Sequence, residues 1–430
     1  MRDALVTARS AGGKVDAIPT DAASEPYEVD ILAGGDALVD QECSRVWGRL
    51  AGAPDGQSTM FRSPEWLAHC QVRSPDASHY LVAIYDRTRA LVGAAPLARG
   101  RHVLEVSVKF HRLWRASLRC ARLFGGDPWP GADERQFDVF FRALGASYAD
   151  CDCIVLPMLE VDGACWRYLR SSASIREKYF VYQGEAPCKY RTAVLPPKFA
   201  DYLTQFNAKH RETLRRKLKR LRNRGDGNLE LERFEAARDV ERFLDLASKV
   251  ERGSWQHRWV DDRIENSTRW RHLLADAADR GLLLCYVLSC KGEPCAFVLG
   301  YRHQLVYHYV QVGYDQSFRE YSPGTVILYL LIEDLIERRG LKLLSFGFGD
   351  HQYKEAFGNA CVERADVLLL TRTLPNRLRL ACHSALGSAA SGLKWFLRAK
   401  FWRSKLFRGR LQRGAPTTPP ASLKDHASVA

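Results

Sequence analysis

The sequence predicts an α/β (α+β) fold of two tandem domains with mixed, mainly antiparallel sheets, followed by a basic C-terminal helical tail. The chain has 430 residues, of which 46% are hydrophobic, and this length exceeds one ordinary core. An order of three closely spaced strands, a helix and a further strand occurs twice along it. We therefore expect one domain over residues 28–195 and a second over residues 196–375.

The first copy of this order begins with three short runs rich in apolar and β-branched residues. The predicted strands cover residues 80–86, 91–98 and 103–110, the predicted helix 134–144, and the last strand 153–157. Residues 125–131, before the helix, contain turn formers but also Asp127, an acid where a phosphate would otherwise sit.

The second copy repeats the order with clearer signals. The predicted strands cover residues 282–289, 295–301 and 305–312, the helix 325–338, and the last strand 341–346. The first three strands are separated only by the turns 291–293 and 302–304, which is typical of an antiparallel meander.

The loop between strand 305–312 and the following helix has the composition of an anion site. Ser322 is a natural N-cap, Pro323 a natural first helical residue, and Gly324 allows a ligand close to the backbone. Unpaired N–H groups at a helix start favour a group such as a pyrophosphate. A turn with a good cap would give the same pattern.

At this point the residues resemble a known family. The stretches that carry the likeness are the basic helix 209–224, Gly313-Tyr314-Asp315, Tyr321-Ser322-Pro323-Gly324, and Phe346-Gly347-Phe348-Gly349-Asp350 with Tyr353-Lys354. Residues 206–373 resemble the GNAT acetyltransferase superfamily, in particular the CelD-like branch found with bacterial cellulose and exopolysaccharide synthesis proteins. Residues 61–67 extend the resemblance towards the N-terminus, so that it covers most of residues 28–373.

The resemblance implies two tandem GNAT-like domains, of which the second uses acetyl-CoA or a longer acyl-CoA as donor. Because of the acid at Asp127, we expect the first to bind no CoA. The usual loop signature of the superfamily, Arg or Gln, two residues, Gly, one residue, Gly or Ala, differs from residues 319–324 here. The related FemAB-type peptidoglycan aminoacyltransferases use a charged transfer RNA instead, so this donor remains an alternative.

The resemblance also assigns roles in the second domain. Donor contacts are expected from Val310, Val312, Tyr321, Ser322, Gly324 and Thr325. Backbone N–H groups near residues 309–311 would stabilise the oxyanion. Asp350 is the expected proton acceptor and Tyr353 the expected proton donor to the leaving sulfur, although a turn-forming Asp and a packed Tyr would look alike.

The acceptor is expected to meet Glu251, Trp255 and Lys354, where Lys354 would pair with a phosphate or carboxylate. A surface Glu and a core Trp explain the first two nearly as well. The histidines His303, His308 and His351 are weaker candidates for a base, because a strand histidine is more often packed or solvated.

Positive charge is concentrated in two segments of a chain with 64 Lys and Arg against 50 Asp and Glu. Residues 209–224 hold nine cations and one acid, Glu212, around an apolar stripe of leucines. Residues 377–413 hold ten cations and no acid, interleaved with aromatic residues. The first face is either solvated or attracts an anionic partner, and the tail either binds an anionic membrane or packs on the protein.

The twelve cysteines have no Cys-x-x-Cys pair, which favours reduced thiols and no metal site. Residues 1–27 and 414–430 read as disordered, and no secretory signal or run of 18 apolar residues is present. We therefore expect a cytoplasmic protein, peripheral on the inner face of the cell membrane if the tail binds lipid.

These observations lead to one main hypothesis and two alternatives. The main hypothesis is an acyl-CoA-dependent N- or O-acyltransferase acting on a sugar or lipid-linked precursor of exopolysaccharide or envelope synthesis. The alternatives are an aminoacyltransferase that uses transfer RNA and a non-catalytic binding component of a polysaccharide assembly.

Overall fold

The computed structural model describes residues 26–52, 60–108, 111–129, 131–253, 263–349 and 351–388. Two of the predicted site residues, Trp255 and Asp350, lie outside the described residues. Residues 1–25 and 389–430 also lie outside the described residues. They contain all of the predicted disordered segment 414–430, and all of the segment 1–27 except Pro26 and Tyr27.

Thirteen strands are described, and twelve of them form one continuous path through a single sheet. They are β1 (Tyr27–Ala33), β2 (Ser78–Asp86), β3 (Leu91–Val108), β4 (His111–Leu123), β5 (Cys153–Glu160), β6 (Tyr179–Tyr182), β7 (Cys188–Val194), β8 (Leu229–Phe234), β9 (Cys285–Cys290), β10 (Glu293–His303), β11 (Val306–Tyr314), β12 (Leu343–Phe348) and β13 (Ala360–Thr371). The order is β1-β2-β3-β4-β5-β13-β7-β12-β11-β10-β9-β8, with β6 paired to β13 at the side.

The predicted repeat is present in the topology. In the first half β2, β3 and β4 are antiparallel and β5 runs parallel to β4; in the second half β9, β10, β11 and β12 have the same arrangement. The prediction of a separate strand at 103–110 is wrong for residues 103–108, because they continue β3, which extends from Leu91 to Val108. One end of β3 pairs with β2 and the other with β4, so Gly100 lies within a strand and not in a turn.

The two halves exchange strands. β7 precedes the predicted boundary at residue 195 but pairs with β12 of the second half. β13, from the end of the second half, pairs with β5 of the first half as well as with β7. The sheet is therefore continuous across the pseudo-repeat, and the boundary at 195/196 stays a prediction.

Helices cover both faces of the sheet. They are α1 (Gly34–Val39), α2 (Gln41–Ala51), α3 (Pro64–Arg73), α4 (Glu134–Ser147), α5 (Ala164–Ser171), α6 (Ala173–Lys178), α7 (Phe199–Leu203), α8 (Ala208–Arg224), α9 (Val240–Gly253), α10 (Thr268–Asp279), α11 (Pro323–Glu337) and α12 (Gln352–Phe357). In the second half, α7, α8 and α11 bury apolar side chains on one face, and α9 and α10 do so on the other.

A helix follows β13 at residues 374–388 and forms the start of the predicted basic tail. Its Asn376 is fully buried and donates hydrogen bonds to the carbonyl oxygens of Asp152 and Thr371. Arg379 pairs with Asp152 at 3.2 Å, and the ring of His383 lies 2.6 Å from the Tyr182 hydroxyl. In its described part, therefore, the tail packs on its own protein. Among the described helices, none combines the length and the apolar character needed to cross a membrane.

Candidate active site

The parallel strands β11 and β12 separate part of the way along their length. They pair only from Val306 with Leu343 to His308 with Ser345. Beyond this point β11 continues beside β10 up to Tyr314, while β12 continues beside β7 up to Phe348. The sheet is thus split on the C-terminal side of His308, and we call this opening the β11–β12 wedge.

A β-bulge at Val310 lies at the start of the wedge. Gly300 pairs with Tyr309 and Leu299 with Gln311, so Val310 has no partner on β10. Tyr307 and Tyr309 contribute to the core under α11, and Val312 and Tyr314 pack against the same core, so the alternation of side chains shifts by one at the bulge. The Val310 side chain is 48% exposed, and its backbone polar groups are left out of the β10 ladder.

The start of α11 is built differently from the N-cap that the sequence predicts. Ser322 occupies the N-cap position, but in the left-handed region (φ 56°, ψ 50°), and its side chain makes no capping hydrogen bond. Its carbonyl oxygen accepts from the N–H groups of Thr325 and Val326 at 3.0 and 3.2 Å. The expectation of a side-chain cap is wrong because this left-handed backbone turns the chain into α11 without it.

The N–H of Gly324 points to no backbone acceptor in the described part of the chain. A Cβ added at Gly324 would lie 3.4 Å from Cδ1 of Tyr314, which is an ordinary contact. Packing therefore does not require glycine here, and the backbone stays open to an approaching ligand.

Two cations of α8 reach this helix start. Nζ of Lys217 lies 3.3 Å from Oγ1 of Thr325, and the guanidinium of Arg220 lies 5.8 Å from the centre of the Tyr321 ring. Burial, with a smaller effect of nearby Arg216, lowers the pKa of Lys217. The predicted residues Tyr321, Gly324 and Thr325 are thus brought together with positive charge. Sequence analysis identified the basic helix but not these two members of it.

On the β12 side of the wedge, α12 carries Tyr353 and Lys354. The Tyr353 ring lies 6.1 Å from the ring of Tyr309 and 6.3 Å from that of Phe346. Burial raises the pKa of the Tyr353 phenol, so this group holds its proton at neutral pH. Lys354 is buried, its Nζ donates to the carbonyl oxygen of Phe348, and burial lowers its pKa to about 8.

Glu251, in the last turn of α9, lies on the opposite face of β11. Its carboxylate is 2% exposed and neither oxygen has a hydrogen-bond partner in the described structure. A Cβ added at Gly313 of β11 would lie 3.2 Å from Oε2 of Glu251. Burial raises the pKa of the Glu251 carboxyl, with a smaller opposing effect of Arg263.

Glu251 lines a cavity of about 410 Å³. The cavity is also lined by Asp245, Ser248, Lys249, Arg263 and Asn266. Among the described residues the buried hydroxyl of Ser248 likewise has no hydrogen-bond partner. Unpartnered buried polar groups are rare in folded proteins, so their concentration here makes this cavity a candidate binding site.

His308 is a buried polar residue whose environment the sequence did not reveal. It is 3% exposed, its Nε2 atom has no hydrogen-bond partner among the described residues, and its ring lies 5.4 Å from that of Phe61. Burial lowers its pKa to about 3. The imidazole is therefore neutral, and so low a pKa makes it a weak base.

The corresponding opening in the first half is filled. β4 and β5 pair only from Cys120 with Cys153 to Arg122 with Val155. A Cβ added at Gly125 would lie 2.7 Å from Cβ of Phe61, and Trp129 is 3% exposed. The loop itself occupies the space that the wedge leaves open in the second half.

A larger cleft, of about 830 Å³, lies at the other end of β11 and is lined by residues of both halves. Its arginines mostly neutralise acids of the protein, as Arg280 does with Asp276 at 2.8 Å and Arg302 with Glu235 at 3.3 Å. Of its buried polar atoms, Oε2 of Glu65 makes no hydrogen bond in the described structure and lies 3.5 Å from Nε2 of His303. Within the described residues no group of three or more potential metal ligands occurs.

Comparison with known proteins agrees with this geometry. Residues 208–355 match the model of the acetyltransferase (GNAT) domain. The crystal structure of FemX has 11% sequence identity and a TM-score of 0.55, and the match covers 79% of this chain and 98% of that chain. A tandem GNAT protein from the clavulanic acid biosynthesis pathway has 12% identity and a TM-score of 0.45, and the match covers 80% of this chain and 98% of that chain. No curated protein matches. Residues 208–355 are thus similar to a GNAT acetyltransferase domain, and the likeness to FemX shows the fold.

Proposed function

We propose that this protein, a GNAT-type acyltransferase, transfers an acyl group from acetyl-CoA or a longer acyl-CoA to an amine or hydroxyl of a sugar or lipid-linked precursor. The observation that carries the proposal is the β11–β12 wedge beside the start of α11. A strand bulge with free backbone groups, next to a helix start with two cations, suits a donor that joins a thioester to a diphosphate.

In this proposal the donor diphosphate meets the N–H of Gly324, the hydroxyl groups of Ser322 and Thr325, and the side chains of Lys217 and Arg220. Positive charge and free amides at the helix start favour this anion. The extended arm of the donor follows the backbone of Val310 and Val312 into the wedge. This direction brings the thioester to the bulge.

The reaction requires an oxyanion stabiliser, a proton donor for the leaving sulfur and a proton acceptor for the nucleophile. The nucleophile attacks the carbonyl carbon, a C–N or C–O bond forms, and the C–S bond breaks. Backbone N–H groups at the Val310 bulge would stabilise the oxyanion. Tyr353 would give its proton to the leaving sulfur, and Asp350 would accept the proton of the nucleophile.

The acceptor is proposed to lie on the α9 side of β11. Glu251 offers a carboxylate that no group of the described structure satisfies, and Trp255 follows four residues later in the sequence. Lys354 would pair with a phosphate or carboxylate of the acceptor. The role in exopolysaccharide or envelope synthesis rests on the CelD-like resemblance of residues 206–373 alone.

A second candidate is an aminoacyltransferase that takes its donor from a charged transfer RNA. The exposed cations of α8 favour this candidate, because positively charged side chains attract the phosphate backbone of RNA. The two candidates require different donors and can be separated directly.

Isothermal titration calorimetry with acetyl-CoA and longer acyl-CoAs tests the main proposal. We expect saturable binding that is weakened by Lys217→Ala. The absence of heat with every acyl-CoA, together with tight and salt-sensitive binding of transfer RNA, would reject it in favour of the second candidate. For the proposed proton acceptor, Asp350→Asn should retain acyl-CoA binding and lose turnover, and unchanged turnover would remove Asp350 from the mechanism.

A further inference from the structure

The outer face of α8 carries cations that form no ion pair with the described residues. Seven are exposed, and we call them the α8 ridge: Lys209, Arg215, Arg216, Lys219, Arg220, Arg222 and Arg224. Glu212 is the single exposed acid on the helix. Among the described residues no ridge cation has an acid within ion-pair distance, whereas exposed arginines elsewhere do, such as Arg242 with Glu232 at 2.6 Å.

The α8 ridge is unfavourable for the isolated helix. Arg215 with Lys219, Arg216 with Arg220, and Arg220 with Arg224 are like charges at i,i+4 spacing, and such pairs destabilise a helix. Uncharged polar residues would keep the same face soluble without this repulsion. A surface that keeps its charges unpaired attracts an oppositely charged partner.

The α8 ridge is also too long for the donor diphosphate alone. A helix of 17 residues is about 25 Å long. Lys217 and Arg220 already lie at the start of α11, on the side that faces the wedge. The ridge cations other than Arg220 extend along the helix in both directions from this point, so the expected partner is a larger anionic surface.

The chemistry of the ridge narrows the choice of partner. The leucines of α8 face inwards, with Leu214 and Leu221 buried, and the only exposed apolar residue of this helix is Ala208 at its start. A helix that binds a bilayer inserts an apolar face, which is absent here. His210 stacks on Phe206 with ring centres 4.8 Å apart, which leaves no exposed aromatic side chain on α8 to stack with nucleic acid bases.

We propose that the α8 ridge docks an acidic carrier protein that bears the acyl group on a phosphopantetheine arm. The inference rests on the proposed function, because the arm would enter the same wedge with the same thioester. The C–S bond of the carrier thioester breaks, the acyl carbon bonds to the acceptor nitrogen or oxygen, and the arm leaves as a thiol with the proton from Tyr353. Free acyl-CoA shares the arm but lacks the acidic protein surface.

Steady-state kinetics with one acyl chain on two donors test this proposal. The donors are acyl-CoA and an acidic acyl carrier protein loaded with the same acyl group. The test variant is Lys209→Glu, Arg216→Glu and Lys219→Glu together. The matched control, Arg87→Glu, Arg135→Glu and Arg167→Glu, makes the same change in net charge on exposed residues of the first half.

We expect kcat/KM with the acyl carrier protein to fall roughly 10- to 100-fold in the test variant, and its value in the wild type to fall with ionic strength. Activity with acyl-CoA should stay within about threefold in both variants, and the control should keep its carrier activity. Unchanged melting temperatures confirm that both variants are folded.

Three results would overturn the inference. The first is that the acyl carrier protein is inert as a donor or is used no better than acyl-CoA. The second is that the test variant uses the acyl carrier protein as well as the wild type does. The third is that the acyl carrier protein does not bind, while the test variant loses binding of transfer RNA or of anionic lipid vesicles. Turnover with acyl-CoA in any of these cases leaves the proposed function standing. Failure of both donors rejects the proposed function itself.

Discussion

Replacement of Glu251 by Gln should stabilise the protein at neutral pH while it impairs acyl transfer. The carboxylate is 2% exposed and neither oxygen has a partner in the described structure. A polar group buried without a partner costs about 1–3 kcal/mol, and a charged group costs more. Because Gln has nearly the same shape but no charge, we expect a gain of about 1–3 kcal/mol at pH 7.

The gain should depend on pH in one direction only. Burial raises the pKa of Glu251, so the folded state holds this proton to a higher pH than the unfolded chain does. Between the unfolded pKa, about 4.3, and the raised value, the wild type loses stability as the pH rises. Below the unfolded pKa both states carry the proton, and the advantage of Gln should vanish.

Urea denaturation of both proteins from pH 3.5 to 8 measures this effect. Glu241→Gln, on the exposed face of the same helix, is the control and should change stability by less than about 0.5 kcal/mol at any pH. The reasoning is wrong if the Glu251 variant is less stable than the wild type at pH 7, or if its gain persists unchanged at pH 3.5. Activity should fall with a higher KM for the acceptor, while donor binding remains.

Three further changes test the other side of the wedge. Gly324→Ala should raise the KM for acyl-CoA about tenfold or more. The melting temperature should not fall, because the added Cβ makes only an ordinary contact with Tyr314 and Ala favours the helix. An unchanged KM would show that the Gly324 amide is not part of the donor site. Tyr353→Phe should lower kcat roughly 100-fold with little change in donor KM, and full activity would leave Tyr353 a packing role. Since Lys354 loses its proton as the pH rises through about 8, the KM of the wild type for an anionic acceptor should increase above this pH. In acceptor titrations from pH 6.5 to 9.5, Lys354→Met should show a high KM at every pH. An equal pH dependence of KM in both proteins would contradict this role.

Local patterns in the sequence predicted most of the second half. The meander, α11 and β12 were predictable because each consists of a short apolar run with a clear break before the next. The first half was harder, since the runs 91–98 and 103–110 were interpreted as two strands where residues 91–108 form a single strand, β3. This strand pairs with a different neighbour at each of its two ends, and such long-range pairing is not visible in the local pattern.

For the candidate site, the sequence indicated which loop to consider but not the conformation or the pairing of its groups. The loop at Ser322 was recognisable from Ser-Pro-Gly, yet its left-handed backbone and unused side chain were not. The split between β11 and β12 and the bulge at Val310 depend on which strands pair over long distances. The lack of a partner for Glu251 likewise depends on every element packed around it, so no pattern within α9 could indicate it.

The exchange of β7 and β13 ties completion of either half to the presence of the other. During synthesis β7 is made some 150 residues before its neighbour β12. The separation in sequence between β5 and its neighbour β13 is larger still. Until the last strand is made, two strand edges in the middle of the future sheet have no neighbour, which is a situation that promotes mispairing and aggregation. A nascent chain stalled before residue 360 should therefore depend on chaperones, and a gene split at residue 195 should yield active protein only when both fragments are made together.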